Sequence, residues 1–175
     1  MNTRQKPQEI EIPAAPGPRV PLFDRVAGFL DAGDWKFSAD AERNVIDMRV
    51  SLKECGARLF IETYAAEDWE RVLVLAIYPV FVPQARRIAV LEAVNRINRK
   101  LAYGNLELDP ADGEVRIRTV IEAERDLNQA LFERAFYTAM RMGERWFAPL
   151  MAVAFGNASP DGVLDLARDD TGTLQ

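Results

Sequence analysis

Apolar and polar positions change period several times along this chain, and each change marks an element. The clearest signal lies in the middle. Val72-Leu73-Val74-Leu75-Ala76-Ile77-Tyr78 is a continuous apolar run that stops at Pro79, and a segment of helical period follows Pro83. A hairpin signal comes next: Leu106 to Leu108, then Asp109-Pro110-Ala111-Asp112-Gly113, then Val115 to Ile117. Strand, helix, hairpin and a long apolar-striped helix predict an α+β domain.

The flanking segments extend that pattern. Leu22, Phe23, Val26, Phe29 and Leu30 recur at helical spacing, so a helix is expected over 22–33, opened by Pro21 and stopped by Gly33. Trp35 and Phe37 start a short strand, 35–39. Ile46, Met48, Val50 and Leu52 alternate with Asp47, Arg49 and Ser51, the period of a strand with one wet face. A turn at 53–56 leads to a strand over 57–65, and a turn at 66–70 leads to the apolar run. That run, 71–78, is apolar on both faces and reads as a central strand covered on both sides. Short turns between successive strands favour an antiparallel meander.

After Pro79 and Pro83 end the sheet segment, a helix is expected over 84–102. Its stripe is Ile88, Leu91, Val94, Ile97 and Leu101, and Gly104 closes it. The hairpin spans 105–120. Asp126 reads as an N-cap with Gln129 as its capping-box partner. Leu131, Phe132, Ala135, Phe136, Ala139, Met142, Trp146, Leu150 and Ala154 then keep helical period. A helix over 127–155 would run about 43 Å at 1.5 Å per residue, so a kink or break is expected at Pro149, whose ring opposes the carbonyl of Arg145. Gly156 stops it, and Ser159-Pro160-Asp161 starts a short helix to about 167. Residues 1–20 hold or adjoin five of the ten prolines and read as a disordered leader. Residues 21–167 form a single domain, and 168–175 a flexible tail.

Composition narrows the function more by exclusion than by indication. The net charge of −5 argues against nonspecific nucleic-acid binding, which needs basic surface. There is one cysteine, Cys55, hence no intrachain disulfide, and a reducing compartment is the simplest reading. With no histidine, the usual proton-transfer residue and the commonest zinc ligand are both missing, and no metal or cofactor is expected. No apolar stretch reaches the roughly 20 residues that span a bilayer, and no secretory signal follows Met1, so no membrane partner is expected and a cytoplasmic location is.

The candidate chemistry is sparse. Asp109, Asp112 and Glu114 around Gly113 invite a calcium reading, but the spacing departs from the EF-hand loop, and Asp-Pro and Asp-Gly are strong turn formers. Cys55 has no histidine to serve as its base. Arg86, Arg87, Arg96, Arg99 and Lys100 could hold an anion or an acidic partner, or simply form a solvated helix face. Asn95 and Asn98 fall on or beside an apolar stripe, where Asn95 could tether a neighbouring backbone or meet a ligand. Trp146 and Phe147 lie about 100° apart on their helix, so one is expected to face the core and the other a groove or partner. Met140, Met142 and Met151 with Tyr137 widen that stripe, and such side chains suit both cores and adaptable binding surfaces.

Taken together, several segments resemble the YbjN family, described as bacterial sensory transduction regulators. They are the strand start at Trp35, Val72–Tyr78 with Pro79, Val82-Pro83, and Asn95-Arg96-Ile97-Asn98. Leu101 to Leu108, Asp112-Gly113-Glu114-Val115 and the closing long helix complete the match, which covers about residues 20–167. The resemblance implies a fold similar to type III secretion chaperones: an antiparallel sheet, meander plus C-terminal hairpin, with helices packed on it, usually dimeric. It carries no catalytic residues. The expected function is therefore a non-enzymatic, protein-binding regulator or chaperone-like module, a homodimer with a protein client or signalling partner. Trp146, Phe147, Met151, Arg96 and Arg99 are its candidate contacts. The alternative is a small-ligand sensor with a pocket between sheet and helices near Asn95 and Arg96.

Overall fold

A computed structural model describes residues 20–53, 55–65, 70–122 and 127–167. The predicted leader, the tail, Trp69 in the second turn and Asp126 lie outside the described residues.

Six strands form one antiparallel sheet: β1 (Ser38–Asp40), β2 (Val45–Ser51), β3 (Gly56–Ala65), β4 (Glu70–Phe81), β5 (Asn105–Leu108) and β6 (Glu114–Glu122). Their spatial order is β1-β2-β3-β4-β6-β5, so the first four make the expected meander and the hairpin joins it through β6. Among the described residues four helices accompany the sheet: α1 (Leu22–Ala32), α2 (Arg87–Asn98), α3 (Gln129–Ala154) and α4 (Val163–Leu166). The α+β class and the antiparallel sheet follow from the alternation in β2 and the turn chemistry of the hairpin.

Cross-strand register sorts the side chains into two faces. On one face Ile46, Ile61, Val74 and Thr119 form one row, and Met48, Leu59, Ala76 and Ile117 the next. These residues are buried under the helices, where Leu22, Val26 and Leu30 of α1, Val90, Val94 and Ile97 of α2, and Phe132, Phe136 and Leu150 of α3 complete the core. α3 sits close to the sheet at Gly143. A Cβ there would stand 3.3 Å from Leu52 Cδ1, and Tyr78 donates a 2.7 Å hydrogen bond to the Gly143 carbonyl. Burial raises the pKa of the Tyr78 hydroxyl well above its ordinary value, so it stays a neutral donor.

Several boundaries differ from expectation. β1 starts at Ser38, because Trp35 turns into the core and meets Phe136 edge-on at 5.1 Å. β4 does not end at Pro79 but continues to Phe81. Pairing with β3 stops at Arg58 opposite Ile77, so the missing Pro79 N–H costs no ladder bond to β3. The register with β6 shifts between Ile77 and Phe81, a bulge that lets the strand run on. β4 lies inside the sheet, but the helices cover only one of its faces. Leu73 and Leu75 on the other are buried among the side chains of neighbouring strands.

The middle helix is shorter than 84–102, with a 3₁₀ turn at Gln84–Arg86 before α2. Its buried stripe is Val90, Ala93, Val94 and Ile97. At 100° per residue Ile88 lies about 160° from Val90, which is why Ile88 is 77% exposed. Asn98, not Asn95, does the tethering: its amide donates to Leu106 O at 2.9 Å and accepts from Leu106 N at 2.8 Å. That side chain occupies the outer backbone edge of β5 as a short strand would.

Asn128 caps α3, its Oδ1 accepting from Leu131 N at 2.9 Å, and Gln129 donates to Glu133 at 2.7 Å. The helix is not broken at Pro149 and continues to Ala154. Pro149 and Leu150 are both buried, so packing outweighs the lost intrahelical bond.

Candidate functional site

The face of the sheet turned away from the helices carries the most distinctive chemistry. Its rows are Val45-Glu62-Leu73-Val120, Asp47-Phe60-Leu75-Arg118-Asn105 and Arg49-Arg58-Ile77-Arg116-Glu107. Apolar side chains lie along the middle, and charged ones stand around them.

Most of those charges are matched locally. Arg58 bonds Asp47 through both Nε, at 2.9 Å, and Nη2. This hydrogen bond holds the Asp47 carboxyl below the usual range against the opposing effect of burial. Arg116 meets Glu107 at 2.8 Å and Glu114 at 3.6 Å, and Arg71 meets Glu122 at 2.8 Å. Burial pushes Glu107 up, but bonds from Arg116 and Asn105 outweigh it, so its carboxyl also lies below the usual range. Arg49 is different. It is exposed, stands directly opposite Arg58 on the next strand, and makes no ion pair among the described residues.

Beside this arginine pair the sheet is hollow. A groove of about 550 Å³ runs over Arg49 and Ser51 of β2, Gly56 and Arg58 of β3, and Ile77, Pro79 and Phe81 of β4, with Glu114 at its far side. The bulge in β4 builds its apolar wall, leaving Phe81 61% exposed. A smaller hollow of about 220 Å³ continues from Arg58 over Asp47 and Phe60 towards β1. Its volume, concavity and mix of cationic and aromatic groups suit the groove for binding.

The residues singled out from sequence lie elsewhere. Trp146 is 4% exposed, and its indole N–H has no hydrogen-bond partner among the described residues. Phe147 is half-buried and packs edge-to-face on Tyr78 at 5.2 Å, and Met151 is half-buried on the same helix. Arg96 is engaged by Glu92 at 2.8 Å and by Asp161. Asn95 and Arg99 are exposed on the outer side of α2. None of the six lines the groove. The pocket expected between sheet and helices is not where the groove lies.

The other candidates resolve into structural roles. Arg87 donates to the carbonyls of Val82, Pro110, Ala111 and Asp112 at 2.7–3.1 Å, so a guanidinium already fills the centre of the suspected calcium loop. Asp109 and Asp112 accept from Ala111 N and Glu114 N, as turn formers do. Gly113 has φ +92°, and a Cβ there would be 2.3 Å from Val82 O. Arg86 donates to Val153 O at 3.0 Å and Ala158 O at 3.3 Å, binding the end of α3 to the start of α2. Among the described residues no cluster of three His, Cys, Asp or Glu could hold a metal, and no helix is long and apolar enough to cross a membrane.

The groove escaped sequence reading because its parts are dispersed. Arg49 and Arg58 each read as the wet side of an alternating strand, and only register brings them together beside Ile77. Phe81, two residues beyond Pro79, was the one available signal.

No curated protein matches the chain. The family model for YbjN, "Putative bacterial sensory transduction regulator", matches residues 22–151, from the first helical residue to the last turn of α3. The chain belongs to the YbjN family.

Proposed function

We propose that this protein is a non-enzymatic, chaperone-like regulator that acts by binding a partner protein through the uncovered face of its sheet. The observation that carries this reading is the groove, where Phe81 is 61% exposed beside a cationic pair. Large exposed aromatics next to arginine are typical anchors of protein interfaces. The groove opens to solvent, which suits an extended segment better than an enclosed small molecule. The regulator description of the family is compatible with such a role. We read the working form as a cytoplasmic homodimer on the strength of the chaperone resemblance, and light scattering on a sizing column decides between dimer and monomer.

The test is retention of partners on immobilised protein, comparing wild type with Phe81→Ser and Arg99→Ser. Partners bound by wild type and Arg99→Ser but lost with Phe81→Ser support the groove. Partners that survive Phe81→Ser but not Arg99→Ser would place the contact on α2 and remove this reading. Native mass spectrometry addresses the sensor alternative, since a stoichiometric small-molecule adduct would favour it.

A further inference from the structure

We infer that the groove selects an extended, acidic segment: a carboxylate-bearing residue two positions from an aromatic or large aliphatic one, so that both side chains fall on the same side of the chain. This rests on the reading of the groove as the partner-binding surface and adds the chemistry of what it takes.

Three observations point the same way. First, Arg49 and Arg58 are directly opposed in the β2–β3 ladder. Like charges in that position repel each other. Arg58 turns to Asp47, whose carboxyl also feels the Arg49 charge, whereas Arg49 itself is exposed and has no ion pair within 4 Å among the described residues. A carboxylate placed at Arg49 would relieve the repulsion and gain charge-assisted hydrogen bonds.

Second, the wall next to this cation is apolar. Ile77, Pro79 and Phe81 project from β4 on the same face, and Phe81 has no cover. A purely ionic ligand would leave that wall exposed to water, whereas a residue pair of acid and aromatic would use both parts.

Third, the rim of the groove offers backbone. β1 pairs only with Val45–Asp47, so β2 from Met48 onward has no strand on its outer side among the described residues. Leu52 N donates to Cys55 O at 2.7 Å, closing the β2–β3 turn. Alternation along an antiparallel ladder then turns the N–H and C=O of Arg49 and Ser51 outward. An extended peptide that enters the groove at this edge would find main-chain partners at Arg49 and Ser51 before it crosses β3 towards Phe81, about 10 Å further in.

The experiment is a titration of ¹⁵N-labelled full-length protein with two blocked peptides, Thr-Asp-Thr-Phe-Thr and Thr-Asn-Thr-Phe-Thr, followed by amide shifts. The acidic peptide should move amides at residues 49–51, 56–58 and 77–81. It should bind about tenfold more tightly than the Asn peptide, a difference that shrinks with added salt and is lost in Arg49→Thr. Equal binding of both peptides at those residues, or an unchanged acidic-peptide affinity in Arg49→Thr, overturns the acidic selectivity and leaves the groove a binding surface. Shifts confined to other residues, or none with either peptide, overturn the inference together with the groove.

Discussion

Arg49 and Arg58 face each other across the β2–β3 ladder on the side of the sheet that the helices leave uncovered. Arg58 is satisfied by Asp47, which lies diagonally from it on β2, while Arg49 points into the groove. Like charges directly opposed in a ladder repel, and here the pair lies beside Phe81, which is 61% exposed.

Arg49→Thr should separate the two roles. It removes a like-charge pair and places a β-branched residue in a strand. Urea denaturation should show stability unchanged or raised by about 0.2–1 kcal/mol, while partner retention falls. A loss above about 1 kcal/mol would mean that Arg49 supports the fold.

Asn98→Ala should destabilise the protein far more than Asn95→Ala. The first orphans the N–H and C=O of Leu106, a 1% exposed residue, at a cost of about 1–3 kcal/mol. The second alters an exposed side chain and should change stability by less than about 0.5 kcal/mol. Paired urea curves check the order, and equal effects would contradict the tether.

Arg87→Lys should loosen the β5–β6 turn. A guanidinium spans four carbonyls there, and an ammonium lacks that fork. The expected loss is about 1.5–3 kcal/mol, with faster amide exchange at residues 110–113. Because the cation in this turn is a side chain, added calcium should not restore the lost stability.

Stability should fall at acid pH partly through Asp47 and Glu107. Both carboxyls lie below their ordinary values in the folded protein. Their contribution is complete above the unfolded-state values near ~4 and disappears as pH falls through the lower, folded-state values. Asp47→Asn and Glu107→Gln should each flatten the acid limb of a urea-midpoint profile. The Asp47 effect should be only about 0.2–1 kcal/mol because its partner is half exposed. An acid limb that stays as steep in both variants would assign it to other groups.

How much could be read from the chain depended on whether neighbours in sequence were also neighbours in space. The alternation at Ile46–Leu52 and the Asp-Gly turn are local signals, and they located β2 and the hairpin to within a residue or two. Ile88 falls outside the buried stripe because the spacing of three from Ile88 through Leu91 and Val94 to Ile97 drifts around a helix, and tertiary packing favours the Val90 side. Trp146, an expected partner contact, is 4% exposed, and a long aromatic stripe looks alike in sequence whether it lines a core or a surface. The groove depends on register across three strands and on a bulge, neither of which any short window of sequence encodes.

In the proposed function, the partner sits on the sheet face turned away from the helices. The most direct measurement is photocrosslinking in cells, with a benzophenone amino acid placed in turn at positions 81 and 99. A discrete protein adduct from position 81, absent from position 99 and suppressed by Arg49→Thr, is the predicted result. Adducts from position 99 with none from position 81 would contradict the account.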